Sequence, residues 1–353
     1  MTVLIITHSQ DTDSISMVMD AIAARGGKAF RFDTDRFPTE VGLEAYYGKE
    51  TERVILSSDE RKLDLQEVSA VWYRRIRMGE GIPNTINSQL RNASVLESRV
   101  TVHGAIASID AFHLDPLHII RRAEHKQLQL KVARELGIDT PRTLTTNNPE
   151  AVIQFAQECE SGTIAKMLSS FAIYEEDKEK VVFTNPVTSE DLIDLNGLRL
   201  CPMTFQELIP KALELRVTIV GQQIFTASVD SQQFENARHD WRRRGLVLLN
   251  AWKPYQLPKD VERKLLKLMA YFGLNYGAID ILVTPDGRYV FLEVNSVGEF
   301  FWLEQSPGLP ISQAIAEILL KPPILSQDEW HITERVRQQK SITRWIPVPM
   351  GSE

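Results

Sequence analysis

The chain has 353 residues, a hydrophobic share of 43%, a charged share of 25% and a formal net charge of -7. That length exceeds one ordinary core, so two or three domains of a soluble globular protein are expected. The negative balance argues against general nucleic-acid binding, although Arg242–Arg244 is a local basic cluster. Cys159 and Cys201 are the only cysteines and form no C-x-x-C pair, which excludes a disulfide framework and a cysteine-rich zinc site and fits a reducing compartment.

The N-terminus, MTVLIITHSQD, has too short an apolar run for a signal peptide and reads as a first strand. No window reaches the apolar length of a membrane span, so a cytoplasmic location is expected. Ser14–Arg25 sets Ile15, Val18, Met19 and Ile22 on one helical face and stops at Gly26-Gly27, and Lys28–Phe32 and Ala70–Tyr73 read as further strands. This is an α/β pattern over residues 1–115, with a long helix at Leu90–Ile109 and a boundary at His113-Leu114-Asp115-Pro116. The loop HSQDTDS has no glycine and lacks the dinucleotide-binding fingerprint.

A central segment, 116–200, opens with a helix around Arg121–Leu136 that Gly137 caps. Asn148-Pro149 is an N-cap and N1 pair for the next helix, and Thr163–Leu168 and Lys180–Thr184 read as strands around an acidic hairpin. A third segment, 201–325, carries strands near Thr204–Leu208, Arg216–Val220 and Gln223–Val229, a helix at Val261–Phe272 and a hairpin at Ala278–Val294. Ser326–Glu353 is expected to be a tail.

The hairpin, GAIDILVTPDGRYVFLEVN, has Asp-Gly between two apolar runs. A two-residue Asp286-Gly287 turn sets Asp280 opposite Glu293, with Asn295 on the same face; a three-residue turn that includes Pro285 would send the carboxylates to opposite faces. Opposed carboxylates repel, and a divalent cation removes that penalty. A few oxygen ligands of this kind suit Mg²⁺ shared with phosphate oxygens. Taken alone, the pair fits a solvated face equally well. In this register, however, Leu282, Tyr289 and Phe291 share the face and make it resemble the floor of a site.

An E-x-N at a strand end, thirteen residues after an Asp in the paired strand, resembles the metal signature of the ATP-grasp ligases. HKQLQLKVARELGIDTPRTLTTN resembles the opening of that fold, with Lys126 as a phosphate-binding lysine, and IAKMLSS offers Lys166 as a second. CPMTFQELIPKALELRVTIVG is similar to the hinge along adenine. The resemblance implies adenine contacts at Glu207, Leu208 and Ile209, a ribose contact at Glu214, and catalytic arginines at Arg216 and, in HDWRRRG, Arg242. Each residue alone has a blander reading as a solvated side chain; four segments in the family's order carry the resemblance. One departure is that SSFAIYEEDKEK, after Lys166, has no glycine where many relatives have a glycine-rich loop over the phosphates.

FRFDTDRFPTE, AVWYRRIR, HLDP, FAIYEE and NSVGEFFWLE extend the resemblance to the ATP-grasp ligases that mature microviridin-type ribosomal peptides, nearer the ω-ester (lactone) than the ω-amide (lactam) branch. This implies an ATP-grasp fold behind an N-terminal pre-ATP-grasp domain, ATP and Mg²⁺ as cofactors, and a precursor peptide as partner. ATP would phosphorylate an Asp or Glu side chain of that peptide, and a Thr or Ser hydroxyl would close the ring. Glu190, Asp191 and Asp194, in the helix-like TSEDLIDLNG, are candidates for an arginine of the leader; Arg74 and Arg75 are candidates for a substrate carboxylate, against interdomain ion pairs. Two rivals are a ligase of free amino acids and a non-catalytic nucleotide-dependent peptide binder; the second would have been free to lose its lysines and metal ligands. A homodimer is compatible with such a fold, but no residue pattern marks its interface.

Overall fold

The computed structural model describes residues 1–58, 61–167, 172–175, 178–181, 184–233 and 249–322. Met1–Leu320 form one compact unit. The expected tail at 326–353 lies outside the described residues.

The chain starts with β1 (Thr2–Thr7), α1 (Asp13–Ala24) and β2 (Lys28–Asp33). β1 and β2 pair in parallel, and Gly26, at φ 74°, takes the left-handed turn between helix and strand. β3 (Val41–Tyr47), β4 (Glu52–Ser58) and β5 (Arg61–Asp64) form a separate antiparallel sheet. The sequence gives it little signal, because only Val41, Val54, Leu56 and Leu63 are buried along it. β6 (Val68–Tyr73), α2 (Ser88–Ala107) and β7 (Phe112–Leu114) complete the first layer, whose parallel sheet runs β2-β1-β6-β7.

The single helix expected around Arg121–Leu136 is two, α3 (Leu117–Ala123) and α4 (Lys126–Glu135). His125 is extended, at φ -72° and ψ 98°, so a fresh helix N-terminus begins at Lys126. β8 (Thr143–Thr146) and α5 (Pro149–Glu158) follow, with Asn148 Oδ1 accepting from Glu150 N at 3.1 Å as an N-cap. β9 (Thr163–Lys166), the hairpin β10 (Ala172–Glu175) and β11 (Lys178–Val181), then β12 (Asn185–Pro186) follow, while residue 168 of the strand expected at Thr163–Leu168 and residues 182–183 of the one expected at Lys180–Thr184 lie outside the described residues. With β13 (Met203–Glu207), a second sheet runs β12-β9-β13-β8. The helix-like stretch 188–195 is a series of turns. Thr188 N and Oγ1 both donate to Asp191 Oδ2 (2.8 and 2.9 Å), and such local bonds compete with helix.

β14 (Leu213–Val220), β15 (Gln223–Val229), β16 (Lys253–Pro254), α6 (Lys259–Phe272), β17 (Tyr276–Val283) and β18 (Tyr289–Asn295) build the third sheet. It is antiparallel, in the order β16-β15-β14-β17-β18. Leu215, Val217, Ile279, Ile281, Phe291 and Val294 pack from one face onto α4 and α6. Glu214, Arg216 and Thr218 alternate with those residues and so occupy the opposite face. α7 (Phe301–Gln305) and α8 (Ile311–Leu320) follow; α8 packs on α1, joining the first and third sheets through one apolar cluster.

Candidate active site

The β17–β18 hairpin reaches the expected pairing by an unexpected route. Thr284 N donates to Arg288 O (3.0 Å) and Gly287 N to Thr284 O (2.9 Å), with Gly287 at φ 84°. The loop is therefore Pro285-Asp286-Gly287, three residues and not two. Val283 then pairs with Tyr289 and Ile281 with Phe291, a register that would set Asp280 against Leu292. A bulge between Asp280 and Ile281 absorbs the extra residue, so Asp280 opposes Glu293 and Ala278 opposes Asn295. The proposed floor changes with it. Phe291 faces the sheet–helix core with Ile281 and Val294, and Tyr289 packs against that core with its hydroxyl 2.6 Å from Tyr255. Of the three, only Leu282 keeps to the acidic face, opposite Glu214 of β14.

Around the pair, charge is closely matched. Asn295 Nδ2 donates to Glu293 Oε1 (2.9 Å) and Asp280 Oδ2 (3.4 Å), tying all three proposed ligands together. Lys126, in the first turn of α4, sits 2.9 Å from Glu293 and donates to Asn295 Oδ1 (3.2 Å). Arg216 Nη1 donates to Asp280 Oδ1 (2.8 Å), Nη2 to Glu299 O (3.1 Å), and the guanidinium lies over Trp302. Among the described residues, no group of three or more His, Cys, Asp and Glu side chains gathers as a metal cage. Asp280, Glu293 and Asn295 together gather side-chain oxygens at one point of the sheet.

Burial alone would raise the Glu293 carboxyl, but the Lys126 and Lys166 ammonium groups and the Asn295 hydrogen bond outweigh it and push it down to about 2. A depressed carboxyl contributes stability that is complete above its ordinary value of 4.5 and is lost as pH falls toward about 2. Urea midpoints of the wild type and Glu293→Gln, measured against pH, should therefore differ near neutrality and converge between pH 4.5 and 2.

Other expected residues fall around this centre. Lys166 ends β9, within electrostatic reach of Glu293. Glu207 N and Leu208 N are already used, donating to Arg142 O (3.0 Å) and Gly162 O (2.9 Å). An adenine contact on this hinge therefore has to use carbonyls or Ile209. Glu214 is buried and paired with Lys211 (2.8 Å), a residue not anticipated from the sequence. Arg242 lies outside the described residues. Glu190, Asp191 and Asp194 are exposed, beside Ile193 and Leu200, which are 82% and 91% accessible.

Arg74 has no surface for a substrate: it is 1% exposed, and Nη1 donates to Val297 O and Gly298 O (both 3.0 Å) and Nη2 to Glu299 (2.9 Å). It joins the first sheet to the segment after Asn295, the interdomain alternative. Arg75 is the more exposed of the two and lies 3.4 Å from Glu299. Glu299, which also accepts from Ser14, escaped sequence reasoning; a lone acid inside the apolar GEFFW run was its only signal.

The "MvdD pre-ATP grasp domain" family model matches residues 2–121. The crystal structure of macrocyclase MdnC bound with precursor peptide MdnA, from Microcystis aeruginosa MRC, is 59% identical over 91% of this chain and 99% of that one, with a TM-score of 0.83. The chain belongs to the microviridin-type ATP-grasp ligases. Two more solved structures agree with that membership. The RiPP-associated ATP-grasp ligase of Chryseobacterium gregarium, in complex with ADP and a leader and core peptide, is 40% identical (90% of this chain, 96% of that one, TM-score 0.86). Macrocyclase MdnB of Microcystis aeruginosa MRC is 38% identical (91% and 99%, TM-score 0.78). Comparison with curated proteins finds no match. As a member of this family the chain is an ATP-dependent ligase with the ATP-grasp fold behind a pre-ATP-grasp domain. Among the described residues, no helix is long and apolar enough to cross a membrane.

Proposed function

We propose that this ligase phosphorylates Asp or Glu side chains of a ribosomal precursor peptide with ATP and closes ω-ester (lactone) rings onto Thr or Ser hydroxyls of the same peptide. ATP-dependent peptide macrocyclisation is the coarser reading, supported by the relatives solved with precursor, leader and core peptides, and ATP and Mg²⁺ are its cofactors. The observation that carries it is the convergence of Asp280, Glu293 and Asn295 with Lys126 and Arg216 at one sheet face. Resemblance of the sequence to the ester-forming branch supports the ring type.

These residues fit a divalent cation. Their oxygens are hard donors, and the Lys126 ammonium already lies against Glu293 and Asn295, so the cluster draws positive charge. When bound, Mg²⁺ supplies neutralisation of phosphate charge. Lys126 and Lys166 would meet phosphate oxygens, and Glu214, paired with Lys211, would accept from a ribose hydroxyl. Glu207, Leu208 and Ile209 would border the adenine. Arg216, held by Asp280, would face the acyl phosphate from within the sheet, with Arg242 as its proposed second.

In the first step the substrate carboxylate takes the γ-phosphoryl group and ADP leaves. In the second the peptide hydroxyl attacks the carbonyl carbon, phosphate leaves with the hydroxyl proton, and the peptide has lost one water. No protein base is required for that proton, and orientation of two groups on one bound peptide supplies much of the rate. Arg75 is the proposed partner of the substrate carboxylate, and Glu190, Asp191 and Asp194 of an arginine in the leader. All these residues come from one chain, so the reading holds for a monomer or a homodimer, and it locates the enzyme in the cytoplasm with the ribosomal precursor.

Incubation with ATP, Mg²⁺ and a precursor rich in threonine and carboxylates should remove one water mass per ring, and hydroxylamine or mild base should reopen the rings. Rings that resist both treatments would identify amides. Coupling of free amino acids with an unchanged precursor would favour the small-molecule ligase.

A further inference from the structure

β18 is an outer strand, so the backbone edge it turns away from β17 needs partners from outside the sheet. Asp139 supplies one, its carbonyl accepting from Phe291 N at 2.8 Å. Past the bulge, a side chain takes over. Gln129 Oε1 accepts from Val294 N (2.9 Å) while its Nε2 donates to Val294 O (2.8 Å). One amide thus reproduces the paired donor and acceptor of a strand residue. Gln129 is 1% exposed, and Nε2 also reaches Ala123 O at the end of α3 (2.5 Å).

Val294 is the residue between Glu293 and Asn295, and its own side chain is locked in the core at 1% exposure. Fixing both polar groups of Val294 fixes the peptide planes from which the two ligands project to the other face. Gln129 also lies one turn along α4 from Lys126, whose ammonium is 2.9 Å from Glu293. The same turn of helix therefore sets the strand edge and the lysine together.

We infer that Gln129 is a positioning residue for the divalent-cation site, holding Glu293 and Asn295 through Val294. The inference rests on the proposed ligand set of Asp280, Glu293 and Asn295. Truncating the amide leaves the buried Val294 N–H without this partner and its C=O with only the longer Lys126 Nζ contact (3.4 Å), and loss of such supports around a metal typically weakens binding tenfold to a hundredfold.

The test is Mn²⁺ binding, followed by electron paramagnetic resonance with ADP present and no peptide, so that nothing turns over. Gln129→Met should weaken Mn²⁺ by about tenfold or more while leaving metal-free ADP affinity unchanged. Amide exchange across residues 290–297 of the metal-free protein should quicken. Val132→Ala, a core truncation on the same helix, is the control: it should lower thermal stability and keep wild-type Mn²⁺ affinity. Wild-type affinity in folded Gln129→Met, or an equal loss in Val132→Ala, overturns the inference. Should Gln129→Met fail to fold, Gln129→Asn keeps an amide one methylene short and is expected to lose affinity to a smaller degree; no loss overturns the inference as well. Glu293→Ala separates the two levels. If it keeps Mn²⁺ affinity, the ligand assignment and this inference fall together; if it loses affinity while the Gln129 variants do not, only the role of Gln129 falls.

Discussion

Glu293→Ala is expected to abolish ring closure, lowering turnover about a thousandfold or more, in a protein that still folds. The size follows from what the side chain holds. Its two oxygens engage Lys126 and Asn295, and Asn295 in turn reaches Asp280, so the loss removes one proposed ligand and unfastens a second. Folding should survive because the groups left behind have other partners. Lys126 keeps Asn295 Oδ1 and Val294 O, and Asp280 keeps Arg216. Asn295→Ala should act in the same direction through the same cluster. Intact-mass analysis of the precursor reads the activity, and thermal melting of each variant reads the fold. Full ring closure by either variant would remove these residues from the reaction.

The hairpin shows how far a sequence carries such an assignment. Asp286-Gly287 marks the turn correctly as a place, but not its length, because Thr284 closes a loop that includes Pro285. The bulge that offsets the longer loop leaves no mark in composition, since Leu292 is an ordinary strand residue. Asp280 and Glu293 therefore meet as expected, while the surroundings expected from the same register do not: Phe291 turns to the core. Lys126, Lys166 and Arg216 were legible through their order along the chain, a property that survives errors in element boundaries. Gln129, Lys211 and Glu299 were not. Each acts on a distant or locally folded partner, as Gln129 does on Val294, and no local pattern encodes such a meeting. The break between α3 and α4 was hidden for a related reason. Glu124 and His125 are neither Gly nor Pro, and the interruption depends on packing rather than propensity.

Arg74→Ala is expected to destabilise the fold by about 3–5 kcal/mol, the range for removing one partner of a buried ion pair. Desolvation would lower the pKa of this guanidinium, but Glu299 and Asp11 outweigh it and raise it, so the group stays charged. Its side chain has no exposure; Glu299 lies 2.9 Å away and Asp11 3.6 Å. Truncation would leave Asp11 with the Thr7 hydroxyl (2.7 Å) and Glu299 with Ser14, Phe300 N and the more exposed Arg75, in place of a buried cation, and would leave the carbonyls of Val297 and Gly298 short of a donor, Gly298 O retaining only Tyr276 OH (2.7 Å). Little can move to compensate, since a Cβ added at Gly298 would lie 2.4 Å from Ala278 Cβ and 2.9 Å from Arg216 Nη2. Urea unfolding of Arg74→Ala, Glu299→Ala and the double variant apportions the effect. If the buried pair dominates, the double variant should be less destabilised than the sum of the single changes, because the stranded charge goes with its partner. Arg216 leans on the same segment through Glu299 O, so activity should fall along with stability. An Arg74→Ala protein as stable as the wild type would remove Arg74 from the ion-pair role given to it here.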